Sequence, residues 1–438
     1  MKTKLKLKEA TAIINSLEGG VVPKIGIQHI TVGRNEEVKA FTRALEDVKD
    51  GHSIVKFWIG DYGSGKSFMM HLLTAVALSQ KFVVSNADFT PTIRLYANDG
   101  KSLALYTSIM DNLSIQVRPK GGALPTLLQR WIDKVIDSTA KENNIPIMEI
   151  REEKYISLIQ ESIMKTINAI TEVGGFDFGY IINKYYEGYI SGNELLCKNA
   201  LKWLKGEYTT KTEARQDLNV RSIITDQNYY DMLKNFCKLF VSMGYSGFMI
   251  NLDEAINLYK ISQSTMREKN YEKLLSIYND CFQGKVEHLF INFAGTKHFL
   301  EDERRGLFSY NALKTRLEVN KYETSETRDY AQPVIRLMPL TDNEIFILLD
   351  MLKRIFDLRY KVSIDFSNDD IVNFMNVILN KPGASEFLTP RDVIRDFLNI
   401  LNLLRQNPNS DKASLFEQPS TYEKLSSEDF LLDSIEEL

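Results

Sequence analysis

Residues 60–67 read Gly60-Asp61-Tyr62-Gly63-Ser64-Gly65-Lys66-Ser67. This run, called the glycine-rich loop below, matches the pattern G-x-x-x-x-G-K-[ST] at every fixed position. In such a loop the glycines allow backbone N–H groups to face a polyphosphate. The lysine reaches the β- and γ-phosphates, and the serine hydroxyl binds Mg²⁺. The run therefore predicts a site for a nucleoside triphosphate with Mg²⁺.

The segments on either side of the glycine-rich loop fit this interpretation. The apolar run 54–59 before it predicts a buried strand, and residues 68–73 after it predict the start of a helix. This order places a helix N-terminus, with its favourable dipole, against the phosphates. Residues 82–88 predict the next strand, which ends at Asp88. We predict an α/β P-loop hydrolase with a parallel sheet; a glycine-rich turn that fits the pattern by chance is the alternative. The predicted nucleotide-binding residues of this region are Gly60, Asp61, Tyr62, Gly63, Ser64, Gly65, Lys66, Ser67 and Phe68.

The composition is that of a globular protein with more than one packed unit. The chain has 438 residues, of which 44% are hydrophobic and 26% charged, so two or three units are expected. Its formal net charge of −4 gives no overall positive field that would attract nucleic acid or anionic lipid. Three cysteines without disulfide or metal-ligand spacing favour a reducing cytoplasm. The apolar runs are too short for a signal peptide or a membrane span.

An acidic strand end gives the second motif of the predicted site. The run 248–254 is apolar and ends in two carboxylates, which is the Walker B pattern. Asp253 would lie at the sheet edge beside Lys66 and Ser67 and hold Mg²⁺ through water. Glu254 would orient and deprotonate the attacking water. A nucleotide-dependent switch can lack this glutamate, whereas a hydrolase of this class generally needs it, so its presence favours turnover.

Two candidate residues follow the acidic strand end. The apolar run 289–296 predicts a further buried strand that ends in a polar residue, the position of the γ-phosphate sensor in AAA+ proteins. Thr296 is the candidate and Asn292 the second choice; a threonine that caps the following helix is the alternative. Downstream, Arg316 resembles the arginine that enters a neighbouring subunit's site in oligomeric ATPases. An arginine suits that role because its planar guanidinium contacts phosphate oxygens in two directions. A surface salt bridge is the alternative for Arg316.

Two other stretches resemble AAA+ elements. Val32-Gly33-Arg34 precedes the glycine-rich loop, where a similar stretch packs against adenine in many such ATPases. A plain loop leading into the predicted helix 36–47 is the alternative for Gly33 and Arg34. Thr389-Pro390-Arg391 resembles the second sensor of a helical lid, in which the threonine caps a helix and the proline starts it. Arg391 would then point at the γ-phosphate.

The chain is predicted to contain four segments. Residues 1–118 and 228–335 form the two parts of the ATPase core, and residues 336–438 form a C-terminal all-helical lid with a short acidic tail. Residues 341–344 resemble the start of a helix in this lid. Residues 119–227 show helical periodicity with few strand-like runs, which indicates a large helical insertion in the core. Insertions of this kind commonly carry partner specificity.

One group of basic residues lies near the end of the predicted insertion. Lys202, Lys205 and Lys211 alternate with Trp203 and Tyr208. Basic and aromatic residues together are a feature of nucleic-acid surfaces, but such a pattern is more often an ordinary solvated helix face.

Taken together, four elements resemble those of the ATP-binding proteins of BREX-type (bacteriophage exclusion) defence loci. They are Val21-Val22-Pro23, Val32-Gly33-Arg34, the glycine-rich loop and Thr389-Pro390-Arg391. The resemblance covers most of the chain, and the individual motifs are shared with AAA+ proteins at large. It implies a prokaryotic cytoplasmic ATPase, related to initiator-type AAA+ proteins, that works beside helicases, nucleases or methylases on foreign DNA.

The predicted function is Mg²⁺-dependent ATP hydrolysis coupled to conformational change and subunit assembly. The expected partners are further copies of the chain and proteins of a defence complex, with DNA contact that is weak or indirect and no membrane. The alternative is a signalling or scaffold switch whose bound nucleotide is turned over rarely. A GTPase is disfavoured, because Asn183-Lys184-Tyr185-Tyr186 lacks the final aspartate of the guanine-reading pattern N-K-x-D.

Overall fold

The computed structural model of the protein describes residues 5–171, 175–324, 327–379 and 389–416. The chain divides into two compact units, one of residues 33–339 and one of residues 1–32 together with 340–438. The larger unit is an α/β structure that contains the sheet and the glycine-rich loop. The smaller unit is helical in its described part.

The strands are β1 (Ile54–Ile59), β2 (Val83–Asp88), β3 (Phe248–Asp253), β4 (Leu289–Gly295) and β5 (Val334–Arg336). The helices are, in chain order, α1 (Leu7–Glu18), α2 (Asn35–Lys49), α3 (Lys66–Ser79), α4 (Lys101–Asp111), α5 (Leu124–Glu142), α6 (Ile156–Ile170), α7 (Gly175–Ser191), α8 (Glu194–Leu204), α9 (Lys211–Leu218), α10 (Tyr229–Ser242), α11 (Ile256–Tyr259), α12 (Ser264–Phe282), α13 (Lys297–Glu301), α14 (Asn311–Leu317), α15 (Asp342–Tyr360), α16 (Asn368–Leu379), α17 (Pro390–Gln406) and α18 (Lys412–Phe416).

The five strands form a parallel sheet in the order β2-β3-β4-β1-β5. β1 to β4 are the four runs that the sequence predicted as strands. Their nearly continuous apolar character is typical of parallel strands that are covered on both faces. Because the strands run in one direction, their carboxyl ends lie along the same edge, which is where α/β sheets bind ligands. The glycine-rich loop, the acidic end of β3 and the polar end of β4 all lie there.

Helices cover both faces of this sheet. α2 and α3 pack on one face, and α4, α10 and α12 pack on the other. On the second face the rings of Phe57 and Phe89 both stack on Phe293, with centroid distances of 5.1 and 6.3 Å. These rings tie β1 and β4 to the segment that follows β2, and so fix the carboxyl ends of the strands relative to one another.

The helical insertion lies between β2 and β3 in the chain. Its helices α5 to α9 pack consecutively, each against the next. Trp131, Phe178 and Tyr186 are among the largest fully buried side chains of the protein, and they belong to the same hydrophobic cluster as the sheet residues Phe57 and Phe248. The described residues between 119 and 227 form helices and no strand, in agreement with the sequence pattern.

The smaller unit brings the N-terminal helix to the C-terminal helices. α1 packs against α15 and α17 and buries Ala10, Ile13 and Ile14 completely. The sequence placed residues 1–118 together in the core; the grouping of residues 1–32 with the C-terminal part differs from that expectation. The physical reason is the apolar stripe of α1, which is buried against these two helices. A second cluster of rings joins Phe366, Phe374, Phe397 and Phe416.

Capping residues define where two helices of this unit begin. Thr341 caps α15 through the backbone N–H of Glu344, whose carboxylate accepts from the Thr341 N–H in return. Thr389 forms the same reciprocal cap with Asp392, and Pro390 is the first residue of α17. Each of these reciprocal caps satisfies backbone N–H donors that a helix N-terminus leaves unpaired. Both helix starts agree with the sequence prediction.

Candidate functional site

The glycine-rich loop connects β1 to α3 and adopts a conformation that needs its glycines. Gly63 and Gly65 have φ of 80° and 89°, which side chains rarely allow. A Cβ atom on Gly60 would come within 2.3 Å of the Ser64 Oγ. That hydroxyl is buried and has no hydrogen-bond partner among the described residues. A buried donor of this kind inside a loop that opens a helix fits a phosphate ligand.

Lys66 and Ser67 are the first two residues of α3. The Lys66 Nζ donates to the carbonyl oxygens of Gly60 and Asp61, at 2.9 and 2.8 Å. Burial lowers the pKa of Lys66, and the nearby Asp253 opposes this effect. The Ser67 Oγ donates to the Asp253 Oδ2 at 2.9 Å. The loop and the acidic strand end are therefore in direct contact, as their places at one sheet edge require.

The carboxyl ends of β2 and β3 bring three carboxylates together. Asp88 and Asp253 are paired in register, and Glu254 follows directly. Partial desolvation at the sheet edge raises the pKa of Glu254, and the charges of Asp253 and Asp88 raise it further. Asp88 was not predicted as a site residue, although its position as the last residue of a predicted strand is a signal that could have identified it. The edge of the sheet is therefore acidic beside the lysine of the loop.

The oxygen donors at this edge fit a hard cation such as Mg²⁺. The Ser67 hydroxyl and the Asp253 carboxylate are already joined by a hydrogen bond, and both groups are ligands that Mg²⁺ prefers. In the described part of the chain, no group of three or more His, Cys, Asp or Glu side chains is arranged to hold a metal. Mg²⁺ usually takes one or two protein ligands together with phosphates and water, so the donor set is consistent with that ion.

The carboxyl end of β4 lies between the loop and the acidic edge. The Gly60 N–H donates to the Gly295 carbonyl at 3.2 Å, and the Ala255 N–H donates to the Ala294 carbonyl at 3.0 Å. The next residue, Thr296, accepts from the Phe299 N–H at 3.3 Å and caps α13. The helix cap that sequence analysis left open as the alternative for Thr296 is thus present in the structure.

Asn292, the second choice for a sensor, lies inside the sheet. Its side chain is fully buried, accepts from the Trp58 Nε1 at 2.9 Å and donates to the Asn251 Oδ1 at 2.8 Å. These bonds engage both ends of the amide within the core. Asn292 is therefore a structural residue of β4 in this conformation rather than a group at the sheet edge.

A basic residue next to Thr296 was not anticipated from the sequence. The Lys297 Nζ lies 3.0 Å from the Asp61 Oδ2 of the glycine-rich loop, and both side chains are more than half exposed. No motif identifies Lys297, because its position depends on β4 being the neighbour of β1. That order becomes visible only in the sheet.

Arg34 supports the glycine-rich loop from outside it. Its guanidinium is buried and donates to the carbonyl oxygens of Ser64 at 3.2 Å and Met338 at 2.8 Å. The Arg34 Nη1 also lies 3.8 Å from the Glu37 carboxylate. The contact with adenine that sequence analysis proposed for Gly33 and Arg34 stays a prediction. Arg34 holds the backbone of the loop whether or not it also contacts a base.

The remaining predicted residues lie in several places. Tyr62 is 83% exposed at the tip of the loop, and Phe68 is half-buried in α3. Arg316 is exposed on α14 and donates to the Ala312 carbonyl of its own helix at 2.7 Å. Arg391 is the second residue of α17, where it is exposed. The structure therefore brings together the loop, Asp253 and Glu254, whereas the roles of the two arginines stay predictions.

The basic group at the end of the insertion is largely neutralised. Lys202 is paired with Glu213, and Lys205 lies 2.7 Å from Asp111. Trp203 and Tyr208 are buried, so their rings are not available to stack on bases. The structure thus favours the solvated helix face that sequence analysis weighed against a nucleic-acid surface.

The fold and the site define an α/β protein with a candidate nucleotide site at the carboxyl edge of a parallel sheet. Residues 5–420 match the family model described as BREX system ATP-binding protein BrxC/D, so the chain belongs to that family. This confirms the resemblance inferred from the motifs. No curated protein matches the chain in a sequence comparison. Within the described residues, no helix combines the length and apolar character needed to cross a membrane.

Proposed function

We propose that the protein is a Mg²⁺-dependent ATPase with an AAA+-like P-loop core, acting in phage defence. The observation that carries this proposal is the 2.9 Å hydrogen bond between the Ser67 hydroxyl and the Asp253 carboxylate. It joins the glycine-rich loop to the acidic strand end, two motifs that lie far apart in the chain. Membership in a family of ATP-binding proteins supports ATP as the nucleotide.

The glycine-rich loop would bind the triphosphate. Its backbone N–H groups and the buried Ser64 hydroxyl would face the phosphate oxygens. Phosphate oxygens would replace the carbonyl groups of Gly60 and Asp61 as acceptors for the Lys66 ammonium. Ser67 and Asp253 would hold Mg²⁺, which supplies positive charge to the phosphate oxygens when it is bound.

Glu254 would act as the general base. Its carboxylate would accept the proton of the attacking water while the oxygen of that water bonds to the γ-phosphorus. The bond to the bridging oxygen breaks, and ADP leaves with the electron pair. The exposed position of Glu254 beside Asp253 leaves room for such a water. Thr296, Arg316 and Arg391 would sense or stabilise the γ-phosphate.

The work coupled to hydrolysis is proposed to be conformational change and assembly. The family belongs to the BREX system, which supports protein partners in a defence complex. Arg316 would act between copies of the chain and Arg391 within one copy, so the proposal includes a homo-oligomer. Cys197, Cys237 and Cys281 are all free, which is consistent with a cytoplasmic location.

Nucleotide binding and turnover of matched variants test this proposal. Lys66→Ala removes a phosphate contact and should weaken ATP binding, whereas Glu254→Gln should retain ATP and lose turnover. Binding is measured by calorimetry and turnover by phosphate release, with thermal unfolding as a check on folding. Equal hydrolysis by Glu254→Gln and the parent protein would contradict the role of Glu254. Tight ATP binding with negligible turnover in the parent protein would instead favour the switch or scaffold function.

A further inference from the structure

We infer that Lys297 is a second phosphate-contacting lysine, held by Asp61 until a triphosphate binds. The inference rests on the proposed function, because it assigns a further residue to the same site. In the structure, the Lys297 ammonium lies 3.0 Å from the Asp61 carboxylate. With nucleotide, the γ-phosphate replaces Asp61 as its partner. Lys297 thereby distinguishes ATP from ADP.

The sheet places Lys297 beside the phosphates. β4 is the direct neighbour of β1, and the pairing continues past the strand end into the hydrogen bond from Gly60 to Gly295. Lys297 comes two residues after Gly295, and Asp61 comes one residue after Gly60. The Lys297 ammonium is therefore positioned beside the first residues of the glycine-rich loop. On its other side, the Ala255–Ala294 bond holds β4 against the residue that follows Glu254.

The neighbouring residue on β4 is already engaged. The Thr296 hydroxyl accepts from the Phe299 N–H and so helps to start α13. Lys297 has a long and half-exposed side chain, and its ammonium forms an ion pair with the Asp61 carboxylate of the loop itself. Of these two residues after β4, Lys297 is the one whose polar group already contacts the loop.

The ion pair with Asp61 is weak enough to be exchanged. The side chains of Lys297 and Asp61 are 54% and 66% exposed, and exposed pairs of this kind contribute little to stability. A triphosphate brings more negative charge to the loop than one carboxylate, and charge-assisted bonds to phosphate are stronger. The Asp61 carbonyl also accepts from Lys66. Lys66 and Lys297 therefore both contact Asp61, and a bound phosphate would compete with Asp61 for both ammonium groups.

The test compares the affinities for ADP and for a non-hydrolysable ATP analogue by calorimetry in the presence of Mg²⁺. Lys297→Ala should weaken analogue binding on the order of tenfold and ADP binding much less. Lys285→Ala is the matched control. It removes an exposed lysine paired with Asp280, and it lies shortly before β4, at the opposite end of that strand. Lys285→Ala should leave both affinities unchanged.

A second variant tests the exchange of partners. Asp61→Asn removes the competing carboxylate and should tighten binding of the ATP analogue severalfold. In the double variant with Lys297→Ala this gain should disappear, because the gain acts through the Lys297 ammonium. Thermal unfolding of every variant checks that the fold is retained. Since both side chains are exposed, the changes should leave unfolding close to that of the parent protein.

The outcomes separate this inference from the proposed function. If the parent protein binds the ATP analogue and Lys66→Ala loses it, the nucleotide site stands. Equal losses of analogue and ADP in Lys297→Ala, or no loss at all, would then overturn the role of Lys297 alone. A gain from Asp61→Asn that persists without Lys297 would also overturn it. A parent protein that binds neither nucleotide would overturn both.

Discussion

Glu254 combines a chemical role with an unfavourable backbone conformation. Its φ is 55°, in the left-handed region that residues with a Cβ atom rarely adopt. Hydrogen bonds on both sides maintain this conformation: the Glu254 N–H donates to the Asp253 Oδ1 at 2.8 Å, and the Glu254 carbonyl accepts from Asn257 at 2.9 Å. Such conformations cost about 1–3 kcal/mol and cluster at functional sites. The strain is consistent with selection for the position of the carboxylate rather than for stability.

The strain at Glu254 predicts a difference between two inactive variants. Glu254→Gly relieves it and should be more stable than Glu254→Gln by about 1 kcal/mol, although both lose the carboxylate and turnover. Urea unfolding measures the difference. Lys361→Gly is a positive control, because Lys361 ends α15 with the same φ of 55°. Equal stability of the two Glu254 variants, with a gain in Lys361→Gly, would show that Glu254 is not strained.

Lys56 is a buried lysine in the middle of β1. Its ammonium donates to the carbonyl oxygens of Tyr330, Ala331 and Gln332, which holds the segment before β5 against the sheet. Burial lowers the pKa of Lys56 from 10.5 to about 8, with opposing contributions from Asp329 and Asp47. Between these two pH values the unfolded chain binds a proton that the folded chain lacks. Stability attributable to Lys56 therefore rises with pH across this window.

Comparison with Lys56→Met isolates this titration from that of other groups. The free energy of unfolding of the parent protein minus that of the variant should increase as pH rises from about 8 towards 10.5, by up to about 3 kcal/mol. Urea unfolding at several pH values measures it. A difference that falls as pH rises would mean that the three carbonyl partners raise the pKa of Lys56 instead of burial lowering it.

At the scale of the elements, a row of asparagines crosses the sheet. Asn86, Asn251 and Asn292 are paired in register on β2, β3 and β4. The Asn251 amide donates to the Asn86 Oδ1 at 2.8 Å and accepts from the Asn292 amide at 2.8 Å. It also donates to the Thr74 hydroxyl at 2.9 Å, which links the row to α3. The row connects the helix of the glycine-rich loop to the strand that carries Asp253.

This row should behave as one unit when it is mutated. Asn251→Ala leaves the amide of Asn292 without its acceptor in the core, so we expect a loss of about 2–4 kcal/mol in the free energy of unfolding. Asn292→Ala should cost a similar amount. The double variant should lose clearly less than the sum, because the second change removes a group that is already unpaired. Additive losses in urea unfolding would show that the asparagines act independently.

The elements that the sequence predicted are those with strong local signals. β1 to β4 are apolar runs, and Thr341 and Thr389 cap the helices that follow them. The Ser67–Asp253 contact was predictable because parallel strands end at one edge of a sheet. β5 was missed, since its three residues are too few for a periodic pattern and depend on pairing with β1.

Other features of the site depend on the order of the strands. The Lys297–Asp61 pair exists because β4 lies next to β1, and local sequence does not determine which strands are neighbours. The Lys56 ammonium likewise finds its carbonyl partners far along the chain. Thr296 shows a different limit: the same residue type at a strand end suits a sensor and a helix cap, and the choice of hydrogen-bond partner becomes visible only in the structure.

At the scale of the whole molecule, we predict that Arg316 acts between copies of the chain. It is exposed, and no carboxylate in the described part of the chain forms an ion pair with it. This leaves its guanidinium available to a neighbouring copy. If each site combines the glycine-rich loop of one copy with Arg316 of the next, a Lys66 variant and an Arg316 variant each lack a different half of the site.

Mixing two inactive variants tests this arrangement. Arg316→Ala retains an intact loop, and Lys66→Ala retains an intact Arg316, so an equal mixture that exchanges copies freely should rebuild about one quarter of the sites. Phosphate release measures the recovered activity, and each variant alone supplies the baseline. An oligomeric protein with no recovery at any mixing ratio would leave Arg316 as a surface residue without a catalytic role.

The charge of the molecule bears on contact with DNA. The net charge is −4, and non-specific DNA binding depends mostly on neutralising phosphates with Lys and Arg. In the insertion, Lys202 and Lys205 are paired with carboxylates, and the neighbouring rings are buried. We therefore expect a single copy to have low affinity for DNA. Assembly driven by ATP would repeat weak contacts, and repeated contacts add through multivalency.

We therefore expect the nucleotide-free protein to bind duplex DNA weakly and the ATP-bound Glu254→Gln protein to bind it more tightly. The binding should fall steeply between about 50 and about 200 mM salt, because it rests on counterion release. Titration of a labelled duplex with Glu254→Gln, with and without ATP and at both salt concentrations, measures these effects. Sedimentation under the same conditions shows whether tighter binding accompanies assembly. Tight and salt-insensitive binding by the nucleotide-free single copy would contradict the expectation, and would place a dedicated DNA-reading surface in the helical insertion.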